Sequence, residues 1–313
     1  MIEIKLDPII IFTYRRKIDK LIESLSKNKL SIKSELYIFS DGNKNEKDFE
    51  EVQEVRKYLK TIKGFKGITI IESSVNKGLA NSIIGGVSRV IDTYGSVIVL
   101  EDDLIVSKDF LDYMNDALKF YEKDSNIWSI SAYAPKLECL DTLNADVYLS
   151  PRASSWGWAT WQDRWECIDW EVEDFLTLKV NKSLKYKFNL GGNDMFKMLE
   201  LQMLGKIDSW AIRWCYSQFR YNRYTVYPKA SKIINDGFGD NKGTHNSGNN
   251  SKLTLALNHH SVKFQKLSIE PKIIKCFKLF HDLSFKTKIG YFLKKYGGYG
   301  FVKSVLKREQ RSL

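Results

Sequence analysis

Apolar and polar stretches alternate regularly over the first third of the chain. Runs rich in Ile, Val and Tyr predict four strands, in PIIIFTY, ELYIFSDG, GITIIESS and SVIVLEDD. Between them, apolar residues recur at helical spacing and predict helices in RKIDKLIESLSKN, EKDFEEVQEVRKYLKTI and GLANSIIGGVSRVIDTYG. Strands that alternate with helices are typical of a mostly parallel sheet with helices on both faces, so we predict an α/β fold.

The next part of the chain gives fewer regular signals. A helix is expected in SKDFLDYMNDALKFYEKD, with Ser107 as its N-cap, and a strand in IWSISAY. A later stretch, DMFKMLELQMLGK, predicts a further helix. Five of the eight tryptophans fall in SSWGWATWQDRWECIDW, where the pattern changes character.

Charge is unevenly distributed, which limits the kinds of partner. The net charge is +11, but residues 271–313 hold 11 Lys and Arg against two acidic residues, which leaves +2 for residues 1–270. A nearly neutral body argues against nucleic-acid binding. We predict one domain over residues 1–270 and a basic amphipathic segment after it. That segment fits two interpretations: helices at an anionic membrane surface, or helices that pack on the domain with a basic face in solvent.

The apolar runs and the cysteines bear on location. No run is long enough to span a membrane, and the first one is too short for the core of a signal peptide. We therefore expect a cytoplasmic protein, with the basic segment as its candidate contact with the inner face of the membrane. The four cysteines lack CxxC spacing, which favours reduced thiols over a zinc site or a disulfide framework.

Polar residues follow each of the four predicted strands. The groups are Thr13-Tyr14-Arg15-Arg16, Ser40-Asp41-Gly42, Asn76-Lys77-Gly78 and Glu101-Asp102-Asp103. Ligands of open α/β sheets bind outside the carboxyl ends of the strands. The sequence therefore predicts a binding site where these groups meet.

The acidic triplet Glu101-Asp102-Asp103 suggests a metal site. An acidic turn before a helix is the alternative interpretation. However, the four preceding apolar residues indicate a buried strand, and carboxylates that emerge together from it suit Mg²⁺ or Mn²⁺. Residues two apart in an extended chain point to the same side, so Glu101 and Asp103 could face one ion.

The order of PIIIFTYRR, YIFSDG, VNKGLANSI and VIVLEDDL resembles nucleotide-sugar glycosyltransferases of the type A fold. The N-acetylglucosaminyltransferase I-like enzymes carry a Glu-Asp-Asp triplet in this setting, and bacterial family 2-like transferases of surface-polysaccharide assembly are also similar. The resemblance covers roughly residues 8–245. It implies one Rossmann-like catalytic domain, a Mn²⁺ or Mg²⁺ cofactor, a UDP-sugar donor and a glycan or lipid-linked acceptor.

The resemblance also implies roles for matched positions. The implied contacts to the donor are Thr13, Arg15 and Asp41 at its nucleoside end, Lys77, Gly78 and Asn81 at its phosphates and sugar, and Asp102 at its hydroxyls. Asp103 is implied as the direct metal ligand, with Glu101 in support. Asp41 also fits a simple Asp-Gly turn, and Gly78 a strand end.

An inverting transferase needs a carboxylate that deprotonates the acceptor hydroxyl. KIDSWAIRW resembles the segment where the N-acetylglucosaminyltransferase I-like group keeps this base, although that pattern has two adjacent acids before the Trp. Asp208 is therefore the first candidate, with the register open by one residue. Asp194 is the second, and it also fits a helix N-cap.

Two further sets of residues are candidates. Trp156 and Trp158 could stack on a sugar of the donor or acceptor, although tryptophans most often belong to the core. The segment NDGFGDNKGTHNSGNNSK predicts a mobile loop, and GDNKGTH within it resembles a lid in which Lys242 reaches phosphate and His245 completes the metal site.

The leading hypothesis is thus an inverting, metal-dependent glycosyltransferase of bacterial surface-polysaccharide synthesis. A nucleotidyltransferase of sugar phosphates is a second hypothesis, but FTYRRKID lacks the glycine-rich phosphate loop expected after the first strand. A non-catalytic protein that binds a nucleotide or carbohydrate is the third.

Overall fold

The computed structural model describes residues 6–236 and 261–282. The strands are β1 (Ile9–Thr13), β2 (Glu35–Ser40), β3 (Gly67–Glu72), β4 (Ser96–Glu101), β5 (Leu104–Val106), β6 (Ile127–Ser131), β7 (Val147–Ser150), β8 (Trp158–Trp161), β9 (Tyr224–Pro228) and β10 (Ile233–Asn235). The helices are α1 (Asp19–Ser26), α2 (Phe49–Leu59), α3 (Leu79–Tyr94), α4 (Phe110–Tyr121), α5 (Gln162–Trp165), α6 (Phe175–Val180), α7 (Lys182–Phe188), α8 (Met195–Met203), α9 (Trp210–Arg220) and α10 (Pro271–Phe280). Short 3₁₀ turns lie at Ser31–Lys33, Glu46–Asp48, Glu138–Leu140 and Asn189–Gly191.

The main sheet has eight strands in the order β3-β2-β1-β4-β8-β6-β9-β7. The first four run parallel, β8 is antiparallel to both of its neighbours, β9 is parallel to β6, and β7 is antiparallel to β9. The predicted α/β fold with a mostly parallel sheet is therefore confirmed, as are the four strands and three helices of the first third. A separate two-stranded ribbon pairs β5 with β10.

The central parallel strands are buried on both faces. In β1, Ile9 and Ile11 pack in one core cluster together with α1, α2 and α4, while Ile10 and Phe12 pack in a second cluster together with α3, α8 and α9. Successive side chains of a strand point to opposite faces, so a continuous apolar run fills both cores. This explains why the sequence reads as uninterrupted Ile, Val and Leu at these strands.

The chain changes direction in the sheet beside β1. It proceeds from β1 to β2 and β3 on one side, and α3 then returns it to β4 on the other side of β1. Such a switch point opens a crevice at the carboxyl ends of the two diverging strands. The ends of β1 and β4 are therefore the place where this fold can bind a ligand.

The start of α4 differs from the sequence-based prediction. The helix begins at Phe110 and is preceded by Asp109, not by Ser107. The Ser107 hydroxyl donates to the Asp109 carboxylate at 2.6 Å, and Lys232 donates to the same carboxylate at 2.6 Å. The prediction of Ser107 as the N-cap was wrong, because its hydroxyl bonds to this buried Asp–Lys pair.

The last described helix, α10, packs on the rest of the molecule. Its Ile273 and Phe277 are buried against Leu140, Tyr148 and Tyr227. This contact is the packing that the sequence offered as one of two alternatives for the start of the basic segment. The domain boundary near residue 270 stays a prediction, and most of the basic segment lies outside the described residues. No helix in the described part of the chain is long and apolar enough to cross a membrane.

Candidate active site

The polar groups that follow β1, β2 and β4 meet at one edge of the sheet. Phe12 of β1 pairs with Glu101 of β4, and Thr13 pairs with Ser40 of β2. Neighbouring strands lie about 4.8 Å apart, so the residues just after these pairs emerge side by side. The register of the strands thus places these polar groups at the same edge of the sheet, as the sequence predicted.

The acidic triplet forms a dense negative cluster. Glu101 ends β4, and Asp102 and Asp103 turn the chain into β5. Burial raises the pKa of Glu101 well above its ordinary value, and the charges of Asp103 and Asp102 raise it further. Burial and Asp103 likewise raise the pKa of Asp102 to about 7, against a smaller lowering by Arg16. These carboxyls therefore lie where negative charge is costly unless a cation approaches.

Asp103 keeps unused bonding capacity. One of its oxygens is 3.5 Å from an Arg16 guanidinium nitrogen. The other, Oδ1, is buried and has no hydrogen-bond partner among the residues that the structure describes. The backbone holds the residue from the other side, because the Asp236 N–H donates to the Asp103 carbonyl at 2.8 Å. A carboxylate that is fixed in place and only partly bonded is suited to accept a ligand.

A cleft of about 680 Å³ opens between the triplet and the segment that follows β1. Its charged lining residues are Arg15, Arg16, Lys17, Asp19, Lys20, Glu51, Glu54, Asp102, Asp103 and Asp236. Four cations and six carboxylates thus line the cleft, and Arg16 from the β1 end faces Asp103 from the β4 end at 3.5 Å. A ligand that carries both phosphate groups and a divalent cation would match both walls.

Arg15 is positioned at this cleft by a network that the sequence did not reveal. It donates to Asp48 at 2.9 Å, and the Tyr14 hydroxyl donates to the other Asp48 oxygen at 2.7 Å. The Tyr14 hydroxyl also accepts the Lys44 N–H at 3.0 Å. Asp48 is buried, so the pair keeps the Arg15 side chain at the cleft wall while much of it stays exposed.

Asp41 organises the loop after β3. Its carboxylate accepts the backbone N–H groups of Gly42 at 2.9 Å, Lys77 at 2.9 Å and Gly78 at 3.1 Å. Asn81 completes the loop by donating to the Lys77 carbonyl at 3.1 Å. The structure therefore brings Asp41, Lys77, Gly78 and Asn81 together as predicted, and it gives Asp41 a loop-building role.

Glycine is required at two positions of this loop region. Gly78 precedes α3 with φ of 77°, which L side chains rarely adopt. At Gly42 a Cβ atom would lie 2.5 Å from the Val75 carbonyl carbon, so only glycine allows the two loops to approach so closely. Both residues thus set the shape of the surface beside Asp41.

Asp208 lies next to the same loop. A Cβ atom placed on Gly78 would be 3.8 Å from the Asp208 Oδ2 atom. The Asp208 side chain is 64% exposed, and its ion-pair partner among the described residues is Arg213 at 3.8 Å. It comes just before Ser209, which caps α9 by accepting the Ile212 N–H. An exposed carboxylate is thus held at a helix start, beside the Asp41 loop.

The second candidate base, Asp194, is corrected by the structure. Arg152 donates to both of its oxygens, at 2.7 and 2.9 Å, and Asp194 is buried while Arg152 is largely covered. Burial opposes ionisation, but the charge and hydrogen bonds of Arg152 hold the pKa of Asp194 below its ordinary value. A carboxylate with both oxygens bonded to arginine is not available to an acceptor hydroxyl.

Two predicted donor contacts are also corrected. Trp158 is 0% exposed and its ring centroid is 4.4 Å from that of Trp214, so it belongs to the core. Thr13 is only 4% exposed, and its hydroxyl donates to the Arg16 carbonyl at 3.1 Å. Thr13 therefore shapes the turn after β1. Trp156 is partly exposed and packs edge-on against Tyr133, so its predicted sugar contact stays open. Lys242 and His245 lie outside the described residues.

The sequence analysis assigned no individual role to several charged residues of the cleft. Arg16, Lys20, Asp48 and Asp236 all contribute charged groups at or behind its walls. The Arg-Arg-Lys run after β1 carried a usable signal for Arg16. Asp48 and Asp236 could not be found, because they reach the site through contacts distant in sequence.

Comparison with known proteins supports the resemblance. The model of the GNT-I family matches residues 87–173, a stretch that contains the acidic triplet and the tryptophan-rich segment but not Asp208. No curated protein matches the chain. Matching solved structures include the mannosyltransferase PcManGT from Pyrobaculum calidifontis, solved in complex with GDP-Man and Mn²⁺. It is 13% identical with a TM-score of 0.37, and the match covers 51% of this chain and 46% of the mannosyltransferase. Over residues 87–173 the chain is thus similar to the GNT-I family, in line with the resemblance drawn from its sequence.

Proposed function

We propose that this protein is a glycosyltransferase that moves a sugar from a nucleotide-diphosphate donor to a hydroxyl group, with the aid of a divalent cation. The observation that carries the proposal is the cleft at the β1–β4 switch point, in which cationic side chains face Asp102 and Asp103. The match of the GNT-I family model to the segment that contains the triplet supports the same reading.

The residues present fit a Mn²⁺ or Mg²⁺ ion. Asp103 Oδ1 is a buried oxygen without a partner among the described residues, and the three neighbouring carboxyls repel one another. No group of three or more His, Cys, Asp or Glu side chains within residues 6–236 and 261–282 is arranged to hold an ion. The described side chains therefore do not complete a site by themselves, and we infer that Asp103, with Glu101 or Asp102 in support, would hold the ion when the donor is bound. When bound, the metal would stabilise negative charge on the leaving diphosphate.

The chain's own cations complete the donor site. Arg15, Arg16 and Lys20 line the cleft and are placed to bind the anionic groups of the donor. The loop that Asp41 organises offers Lys77 for the same purpose. We infer a UDP-sugar as the donor, on the resemblance to N-acetylglucosaminyltransferase I-like enzymes.

Asp208 is the proposed general base. It is an exposed carboxylate beside Gly78, and its only described cation within 4 Å is Arg213 at 3.8 Å. In this role its oxygen accepts the proton of the acceptor hydroxyl as that oxygen attacks the anomeric carbon, which inverts the configuration. Asp208 differs from the two-acid pattern of the similar family by the Ser at position 209.

For the acceptor we propose a glycan or a lipid-linked sugar of bacterial surface-polysaccharide synthesis. The basic composition of residues 271–313 supports a location at the inner face of the membrane, where such acceptors are found. In this arrangement the protein is cytoplasmic and peripheral to the membrane.

The deciding experiment combines a thermal-shift panel with a transfer assay. UDP-, GDP- and dTDP-sugars are tested with and without Mn²⁺, on the wild type and on Asp103→Ala. We expect one donor class to raise the melting temperature only with metal, and Asp103→Ala to abolish the shift. No shift with any donor would refute the proposal.

The alternatives predict other outcomes. If the wild type binds a donor with metal but neither hydrolyses it nor transfers its sugar, the protein is a non-catalytic binder. If it joins a nucleoside triphosphate to a sugar phosphate and releases pyrophosphate, it is a nucleotidyltransferase. Asp208→Asn should keep the thermal shift and lose transfer, which separates binding from chemistry.

A further inference from the structure

Three short helices carry lysine and exposed apolar residues and no acidic residue. They are α6 (FLTLKV), α7 (KSLKYKF) and α10 (PKIIKCFKLF), and together they hold seven lysines. We call the exposed side of these helices the lysine–apolar face. The core residues Phe175, Leu178, Phe188, Ile273 and Phe277 hold the helices on the body of the protein.

The face is continuous across α7 and α10. The Lys278 ammonium lies 4.8 Å from the centroid of the Tyr186 ring, so one helix covers an aromatic side chain of the other. Beyond the end of α10, Asp282 accepts from the Asn193 amide at 3.1 Å. The Lys278–Tyr186 contact thus joins α10 to α7, and the Asp282 bond holds the end of α10 to the segment before α8.

Large apolar side chains project from the face into solvent. Leu176 is 71% exposed, Val180 79% and Tyr186 63%, while Leu279 and Phe280 of α10 are exposed as well. Single exposed apolar residues are ordinary, but five of them on α10, α7 and the adjoining α6 are more apolar area than this part of the surface needs for folding. Such a surface indicates a partner that is apolar at the point of contact.

Lysines outnumber acids around the face. Glu173 and Asp174 precede α6, and Glu270 and Asp282 flank α10. Asp174 is engaged, because it accepts from the Tyr216 hydroxyl at 2.6 Å and from Arg220 at 2.8 Å. Glu200 lies 4.0 Å from Lys179 at the edge of the face. The lysines of α7 are thus not neutralised by acids of their own helix, and they complement a negatively charged partner.

We propose that the lysine–apolar face docks on the surface of an anionic lipid bilayer. Lysines bind the headgroups through charge, their methylene stems lie along the interface, and the Leu, Val and Tyr side chains enter the boundary of the acyl chains. A nucleic acid would match the lysines but would leave Leu176 and Val180 unburied. The proposal deepens the membrane contact proposed for residues 271–313, and it adds α6 and α7 of the preceding domain to that contact.

The test measures cosedimentation of the full-length protein with vesicles. One set of vesicles contains phosphatidylcholine and phosphatidylglycerol, and the other contains phosphatidylcholine alone. We expect binding to the anionic vesicles only, weakened about tenfold in Lys182→Gln/Lys187→Gln and to a similar degree in Leu176→Ser/Val180→Ser. The matched control, Lys57→Gln/Lys63→Gln, removes the same charge from exposed positions on and after α2 and should bind as the wild type does.

Each other outcome counts against the face. Wild-type binding by both test variants would leave the contact to residues 271–313 alone and overturn the proposal. If the control loses as much vesicle binding as the test variants, net charge alone explains the binding, and this result would also overturn the proposal. So would self-association in light scattering that the Leu176→Ser/Val180→Ser pair abolishes, since the face would then bind a second copy. Metal-dependent donor binding, measured in every variant, tests the proposed function separately, because no substituted residue lines the cleft.

Discussion

Two arginine–carboxylate pairs of this molecule share the same chemical groups but differ in geometry. Arg152 donates two bonds to Asp194, at 2.7 and 2.9 Å, and both side chains are largely buried. Arg16 approaches Asp103 only to 3.5 Å and leaves the Asp103 Oδ1 atom without a partner among the described residues. The first pair satisfies its own bonding needs. The second keeps an oxygen free at the wall of a cleft.

The neighbours of each pair explain the difference. Burial alone would raise the pKa of Asp194, but Arg152 outweighs it and keeps that pKa low. At the cleft, burial and Asp103 raise the pKa of Asp102 to about 7, and Arg16 offsets only part of the effect. One arginine serves one carboxylate in the first case and faces a cluster of three in the second. A surplus of carboxylate at a binding edge points to a ligand, while a matched pair points to structure.

The largest effect is expected from breaking the buried pair. Arg152→Met leaves the Asp194 carboxylate buried without its partner, which should lower the free energy of unfolding by about 3–5 kcal/mol. Chemical denaturation monitored by tryptophan fluorescence measures this loss. The double variant Arg152→Met/Asp194→Leu removes both charges and should recover most of the stability. If the single variant is as stable as the wild type, the pair does not hold this part of the fold.

Removal of one charge from the Arg16–Asp103 pair at the cleft should change the rate of sugar transfer and not the stability. Asp103→Asn removes the oxygen that we assign to the metal, so the rate of sugar transfer should fall about 10²–10³-fold. Its free energy of unfolding without metal should stay equal or rise, because one charge of the crowded triplet is gone. Steady-state kinetics and denaturation on one preparation give both values. A variant that is both unstable and active would reverse the comparison between the two pairs.

The sequence predicted one of these pairs better than the other. Asp103 follows a continuous apolar strand, and local pattern together with the rule for parallel sheets was enough to place it at a binding edge. Asp194 precedes a helix, and its local sequence was typical of an N-cap or of a catalytic base. Its arginine is 42 residues away in the chain, so no local pattern could reveal the pair.

The same reason explains the other differences between prediction and structure. Trp158 lies among Gly and Ser in the sequence, which suggested an exposed sugar contact. In the structure it lies on β8, and Trp210 and Trp214 of α9 cover its indole ring. Asp48 supports Arg15 from 33 residues further along the chain. Periodicity predicts which face of an element is buried, whereas the partner of a given polar group depends on how distant elements pack.

Asp208 is a third kind of carboxylate, because it is exposed and only loosely held by Arg213. Asp208→Asn keeps the size of the side chain but removes its ability to accept a proton, so kcat should fall about 100-fold or more. The KM for the donor and the metal-dependent thermal shift should not change. Asp92→Asn, at an exposed carboxylate on α3 that does not line the cleft, is the matched control for stability and rate. An unchanged kcat in Asp208→Asn would return the search for the base to residues outside the described part of the chain.

Acid should also act on the Arg152–Asp194 pair, through the neighbouring His281. Burial and the nearby Arg152 charge lower the pKa of His281 to about 3, while the Asp194 carboxylate pulls it up only slightly. The unfolded chain takes up this proton near pH 6.5, so the contribution of His281 is fully present above that pH and is lost as the pH falls toward 3. The free energy of unfolding should drop by about 1.4 kcal/mol per pH unit in this window on account of this one group. His281→Gln should remove that slope between about pH 6.5 and pH 4.5, leaving the loss from Asp194 to appear below the ordinary carboxyl range. If the slope survives the substitution, His281 is not held neutral beside Arg152, and the buried pair does not extend to α10.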